Sequence, residues 1–284
     1  MRTLGFDHPV ILSYYPLLLP VVDWINPRRV VFHMVDEWQG LAGIPRSMIG
    51  LTLGMLARAD VTIVSSRPLL ERYRDGARDI YLLRHGTDLD LFLPVLEGRV
   101  APDVRVAALP GVKVGYYGAL HKLDFGLIHE VASRRPDWSF VFIGPVSGSQ
   151  GVGALPPLPP NVRFWDVWRR EALPGFLAGL DLFWMPFVRN ELTHAMCPIK
   201  LFEVLSAGKP VVSTDLDETR DAGGEMVEYA RDAEGHLSAL GSALTLDDEA
   251  RRKSRSAAVS GYDWSARTAV FSKLLLGYET EAHR

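Results

Sequence analysis

The stretch "CPIKLFEVLSAGKPVVSTD", Cys197 to Asp215, reads as a short helix, a glycine stop and a buried strand. Pro198 suits a first helical position, where a missing N–H costs nothing. Gly208 suits the stop, and "PVVST" then enters a sheet. At about 100° per residue, Leu201, Phe202, Val204 and Leu205 share one broad arc. Lys200 and Glu203, three apart, are expected together on the opposite face. Upstream, "LFWMPF" reads as a strand followed by a loop, so the helix starts at the carboxyl edge of a sheet. Ligands of open α/β folds bind at that edge, and a helix N-terminus there favours anions. A carboxylate so placed can accept bidentate hydrogen bonds from a ribose diol, and a lysine can neutralise a phosphate. The competing reading is an exposed i,i+3 ion pair worth roughly a few tenths of a kcal/mol. Periodicity alone does not separate the two.

Outward from this stretch, short apolar runs alternate with amphipathic segments, the signature of parallel α/β architecture. On the N-terminal side strands are expected at "VILSYY", "RVVFHMV", "VTIVSS" and "IYLLRHG", with helices at "PRSMIGLTLGMLARA" and "RPLLERYRD". "DLDLFLPVLEGRVAPDVRVAALPGV" has two prolines and no convincing period, so it reads as a linker. Beyond it strands are expected at "KVGYYGA", "SFVFIGP", "VRFWD", "LFWMPF", "KPVVSTD" and "EMVEYA". Interleaved helices are expected at "DFGLIHEVASRR", "EALPGFLAGL", "PIKLFEVLSAG" and after "DAEGHLSALGSAL", completing a doubly wound unit. "GVGALPPLPPN" reads as a surface loop, and "YDWSARTAVFSKLLLGYETEA" as a long terminal helix with Asp263 as N-cap. The helix has more apolar faces than one sheet edge needs.

The 284 residues suit two medium domains. With 48% hydrophobic and 23% charged residues, a core is affordable, and a net charge of −3 argues against a broad nucleic-acid-binding surface. The single cysteine, Cys197, excludes an internal disulfide and a cysteine-rich metal site. No zinc spacing, P-loop or nucleophile elbow is present, so neither a metal nor a cofactor is expected. "PVILSYYPLLLPVVDWI" is apolar, but Pro16, Pro20 and Asp23 interrupt it below the roughly 18 residues of a spanning helix. Without a charged leader and small-residue cleavage site, it reads as a buried strand and helix.

Other strand ends carry candidate chemistry. In "YYGALHKLDF", Gly118 lets a backbone approach a diphosphate and Lys122 offers charge; a plain strand-to-helix turn explains both equally well. "FIGPVSG" and "FWDVWRR" end strands at the same edge, and Trp165 reads as core. "FHMVDEW" places Asp36, Glu37 and Trp38 just past an apolar run. Either carboxylate can serve as a general base, against the alternative of a solvated loop acid. His33, inside that run, reads as a satisfied core histidine. His85, Gly86, Asp88 and Phe92 read as structural.

"PIKLFEVLSAGKPVVST", with "GYYGAL" and "HGTDLDLF" upstream, resembles the retaining GT-B glycosyltransferases of the family-4 type, in particular their bacterial surface-polysaccharide and teichuronic-acid branch. The likeness runs from "RVVFHMVDEW" to "YDWSARTAVF". It implies two Rossmann-like domains facing a cleft: an acceptor-side domain over 1–101, a nucleotide-sugar domain over 102–261, and a helix over 262–284 crossing back. It further implies a donor site of Gly118, Lys122, Lys200, Leu201 and Glu203, with Glu203 on the ribose and Val167 or Trp168 against the base. Asp36 or Glu37 would face the acceptor. The family's paired glutamate, eight positions before Glu203, is here Ala195. Glu191, Thr193 and His194 are substitutes from the same loop, none in register, with His194 taken for the donor site.

The implied activity is metal-independent transfer of a sugar from a nucleotide-diphosphate donor to a glycan or lipid-linked acceptor, with retention favoured over inversion. The expected location is cytoplasmic, with peripheral association at the inner membrane face left open. A complete first domain of this fold starts with a strand and Gly-rich loop, whereas residues 1–100 supply about four strands. The acceptor domain is therefore expected to be incomplete, with a sheet edge needing cover. Two other readings stay open. One is a non-catalytic nucleotide-sugar- or glycan-binding subunit of a polysaccharide-assembly complex, the other an epimerase of the same fold.

Overall fold

A computed structural model describes residues 7–37, 45, 47–145 and 157–278. In chain order its first elements are β1 (Val10–Ser13), α1 (Leu19–Ile25), β2 (Arg29–Met34), α2 (Ser47–Arg58), β3 (Val61–Val64), α3 (Arg67–Tyr73) and β4 (Ile80–Leu82). Next come α4 (Leu89–Leu96), α5 (Val104–Ala107), β5 (Lys113–Tyr117), α6 (Phe125–Arg134), β6 (Ser139–Ile143), β7 (Val162–Trp165), α7 (Leu173–Gly179) and β8 (Leu182–Met185). The remainder are α8 (Glu191–Ala195), α9 (Ile199–Ser206), β9 (Val211–Thr214), α10 (Asp217–Gly223), β10 (Glu228–Ala230), α11 (Ala233–Thr245), α12 (Glu249–Ala258) and α13 (Trp264–Leu276). No helix among the described residues is long and apolar enough to cross a membrane.

The chain packs as two compact units. The first comprises the described residues up to His85, the segment Asn190–Cys197 and those from Trp264 on. Its sheet is parallel in the order β1-β2-β3-β4. Right-handed crossovers between consecutive neighbours put α1, α2 and α3 on one face, where Val22, Met55, Leu56 and Leu69 meet Val30, Phe32 and Met34. The alternate residues Val31, Val61 and Ile63 point to the other face, which Leu274, Val270 and Phe271 of α13 cover. That second face accounts for the surplus of apolar positions in the terminal helix. β1 lies at one edge of the sheet and is half-buried.

The second unit comprises Gly86–Arg189 and Pro198–Asp263. Its six strands are parallel in the order β10-β9-β8-β5-β6-β7, the doubly wound arrangement with its reversal between β5 and β8. The stretch read as a linker instead contains two helices of this unit. The Asp88 side chain accepts from Leu91 N–H to cap α4, Asp103 accepts from Arg105 N–H to cap α5, and Phe92 is fully buried. Pro94 inside α4 masked the helical pattern. α12 follows "DAEGHLSALGSAL" as expected, while α11 occupies that run itself; α12 docks through its buried Arg255, whose guanidinium donates to Gly208 O and pairs with Asp247.

Candidate functional site

The pocket that gathers most of the donor-site candidates lies at the carboxyl edge of the second sheet. Helix α9 follows β8 and starts one residue after Pro198, which acts as its N-cap. It ends in a Schellman turn, with Gly208 (φ +70°) donating to Leu205 O and Lys209 N–H donating to Val204 O. Burial does not follow a stripe: Leu201 through Ser206 are all buried, Glu203 at 6% exposure among them. The expected polar face is therefore not solvent-facing, and the reading as an exposed ion pair falls. Lys200, half-buried, and Glu203 both line a cavity of about 280 Å³.

The opposite wall is backbone. Gly118 and Gly144 end the paired strands β5 and β6 with φ of +142° and +148°. A Cβ on Gly144 would lie 1.9 Å from Gly118 O, so these turns require glycine where the two chains touch. Val167, Trp168, Arg170 and Leu173, from the end of β7 into α7, close the remaining side. Trp168 stacks on Trp165 (centroids 5.5 Å apart, planes at 5°), and the Arg105 guanidinium lies 4.0 Å from the Trp168 ring centre. Trp165 is thus half-buried backing for the wall rather than deep core.

The electrostatics centre on Glu203. Tyr117, the last residue of β5, donates its hydroxyl to Glu203 Oε2 at 2.9 Å. Burial pushes the Glu203 carboxyl above the usual carboxylate range. Lys200, the Tyr117 hydrogen bond and Arg170 pull it back, and Asp88 adds to the rise. Burial, then the neighbouring carboxylate, raises the Tyr117 phenol well above its ordinary value. The phenol therefore stays protonated and remains a donor. The arrangement offers a carboxylate for hydroxyl pairs, cations at Lys200 and Arg170 for phosphate charge, and an aromatic wall for a planar ring.

The family described as Glycosyl transferases group 1 matches residues 114–245, which hold this pocket. These residues resemble a group 1 glycosyltransferase domain. Outside it the likeness continues. The putative teichuronic acid biosynthesis glycosyltransferase TuaH of Bacillus subtilis is 29% identical over 222 residues, covering 72% of this chain and 54% of that protein. The chain thus spans about half the length of that curated relative. Anabaena HepE in complex with UDP-glucose superposes with a TM-score of 0.75 at 15% identity, covering 97% of this chain and 81% of that one. Sucrose-phosphate synthase from Thermosynechococcus elongatus gives 0.70 at 15%, covering 95% and 73%. The two parallel sheets are those of the GT-B fold.

Of the sequence candidates, Gly118, Val167, Trp168, Lys200 and Glu203 line this pocket. Leu201 is fully buried and takes part in packing. Lys122 ends a short 3-10 turn (Leu120–Lys122), and its carbonyl accepts from Val188 N–H; it is outside the lining residues. His194 and Ala195 sit on α8, whose segment Asn190–Cys197 packs with the first unit, where Ala195 joins the core. Asp36 is half-buried beyond β2, whereas Glu37 is 1% exposed. Its carboxylate accepts from Tyr73 Oη at 2.9 Å and from Arg72 Nη1 at 2.9 Å. Trp38 lies outside the described residues.

His33 corrects its expectation. Its ring packs against Tyr14 and Phe271, but both ring nitrogens are buried without a hydrogen-bond partner among the described residues, and burial lowers its pKa to about 4. Among the pocket residues that sequence reasoning passed over are Tyr117, Gly144 and Arg170. Tyr117 and Gly144 stand inside the quoted runs "YYGAL" and "FIGPVSG", and Arg170 inside "FWDVWRR". Their position at strand ends was the available signal, and strand order was needed to bring them together.

Proposed function

We propose that the chain is a glycosyltransferase, or the greater part of one, that takes a sugar from a nucleotide-diphosphate donor to a glycan or lipid-linked acceptor in cell-surface polysaccharide synthesis. The observation that carries this is the pocket at the reversal point of the second sheet. There a buried carboxylate, two cations and two touching glycine turns converge within the residues that match the group 1 glycosyltransferase family. A relative named for teichuronic acid biosynthesis and a structural neighbour holding UDP-glucose support the donor and pathway classes. Glu203 accepts the ribose hydroxyls, Lys200 and Arg170 neutralise the diphosphate, and the backbone at Gly118 and Gly144 admits it closely. With those cations stabilising the leaving group, the reaction proceeds without a metal. Transfer occurs with retention, a course that needs no side-chain base; the engagement of Glu37 by Tyr73 and Arg72 fits it. The enzyme works in the cytoplasm or at the inner membrane face.

Calorimetric titration with UDP tests the assignment. Glu203→Ala is expected to weaken binding by a factor of about 10 to 100, the loss of charge-assisted hydrogen bonds worth roughly 1.5–3 kcal/mol. Unchanged affinity removes the assignment. Ala195, in place of the family's second glutamate and buried in the first unit's core, favours a second reading as a non-catalytic binder. Slow release of nucleoside diphosphate from the nucleotide sugar separates a catalyst from a binder.

A further inference from the structure

The pocket contains a buried hydrogen bond whose partners are 86 residues apart in sequence and whose donor has no role in the reading above. Tyr117 is 3% exposed, and its ring meets Phe176 and Phe183 edge-on, at 6.2 Å and 76° and at 5.2 Å and 69°. Gly115, two residues back on the same face of β5, makes room for this packing: a Cβ there would lie 2.8 Å from Phe176 and 2.5 Å from Leu180. The ring is therefore held by two phenylalanines, and its single hydroxyl hydrogen is directed at Glu203 Oε2.

We propose that Tyr117 is a positioning residue of the donor site, holding the Glu203 carboxylate ionised and turned so that its other oxygen meets the ribose hydroxyls of a nucleoside diphosphate. The proposal rests on the donor-pocket reading. A carboxylate on a helix can rotate about its terminal torsion, which is broad and roughly two-fold. A fixed donor on Oε2 removes that freedom and leaves Oε1 facing the ligand. Charge works in the same direction. The groups facing Glu203 are Lys200 on its own helix, Tyr117 on β5, Arg170 beyond β7 and Asp88 at the start of α4. Burial and Asp88 favour the protonated acid; the phenol and the two cations favour the anion. Once protonated, the carboxyl carries a hydrogen where a diol hydroxyl needs an acceptor. Lys200 and Arg170 act as charges on long side chains, whereas the phenol is a directional donor fixed by packing.

The experiment measures UDP affinity of the whole chain between pH 5 and 9, for the native protein and for Tyr117→Phe. Native affinity falls as pH drops through the raised Glu203 pKa. Tyr117→Phe keeps the ring, loses the donor, and is expected to bind about tenfold more weakly at neutral pH, with the midpoint of its pH profile moved to higher pH. Titration of the ligand's own phosphate is common to both proteins and cancels in the comparison. Should Tyr117→Phe fail to fold, 3-fluorotyrosine at position 117 gives the opposite perturbation. Its more acidic hydroxyl is a stronger donor, expected to move the midpoint to lower pH. A purely structural tyrosine would weaken binding equally at every pH, and an unmoved midpoint in the folded variants overturns the proposal. If the native protein binds UDP with Glu203 dependence while that midpoint stays put, only Tyr117's role falls. If the native protein does not bind UDP, the pocket reading falls with it.

Discussion

Removing the Glu37 carboxylate provides a quantitative test of whether that residue is structural or chemical. The carboxylate is 1% exposed and accepts from the Tyr73 hydroxyl, itself buried, and from Arg72, whose side chain is 42% exposed. These two bonds differ in weight. Arg72 reaches solvent and also lies 3.7 Å from Glu191, so its pairing is screened and contributes roughly 1 kcal/mol or less. The tyrosine bond is dry, and taking the carboxylate acceptor from a buried hydroxyl costs roughly 1–3 kcal/mol. Glu37→Ala removes both and opens a small cavity, for an expected loss of about 3 kcal/mol. Glu37→Gln keeps a carbonyl acceptor for the phenol and gives up the screened charge pair, for about 1 kcal/mol. Urea unfolding of the first unit at neutral pH, read by circular dichroism and by hydrogen exchange at α3 and β2, gives both values. A Glu37→Ala loss below about 0.5 kcal/mol would refute the argument, since that is the range of ordinary surface substitutions. A Glu37→Gln variant of native stability but without transferase activity would return Glu37 to the role of acceptor-side base.

Two further outcomes follow from the second unit. Gly118→Ala would force φ of +142° on a residue with a side chain and bring its Cβ within 2.8 Å of the Tyr116 hydroxyl and 3.0 Å of Lys200 Cε. A loss of roughly 1–3 kcal/mol is expected together with weaker UDP binding, and a variant matching the native protein in both would contradict the close-approach argument. Lys209, which donates to Leu180 O at 2.7 Å, has its pKa lowered by burial, and secondarily by Arg252, to about 8. Between pH 8 and the ordinary lysine value of 10.5, the unfolded chain holds a proton that the folded one has released. Stability from this residue therefore rises with pH across that window and is lost as pH falls through 8. Urea midpoints at pH 8 and 10 should show a gain in the native protein that Lys209→Met lacks, and equal slopes would contradict the assignment.

Local pattern carried most of the secondary structure. The strands named from their apolar runs are present, because a parallel strand buried on both faces reads as a continuous hydrophobic stretch. Failures fall where the local signal and the stabilising interaction part company. α4 contains a proline that interrupts its helical pattern, yet its Phe92 is fully buried. Of the donor-site candidates, Gly118, Lys200 and Glu203 were legible because glycine at a strand end and charge at a helix start carry their chemistry wherever the strand sits. Glu203 stands opposite the apolar arc of its helix, where periodicity left an exposed ion pair open, and it is buried.

The sequence by itself determined the parallel α/β class, the two series of strands, and the helix whose lysine and glutamate stand one turn apart. Tertiary structure decided what those groups face. Strand order puts the ends of β5 and β6 and the chain beyond β7 next to α9, so Tyr117, Gly144 and Arg170 become neighbours of Glu203. It also assigns Asn190–Cys197 to the first unit and gives the Glu37 carboxylate to Tyr73 and Arg72. The physical reason is one of range. Backbone periodicity is set by neighbours within a few residues, whereas burial of a charge and the donor that satisfies it come from segments brought together only when the sheet forms.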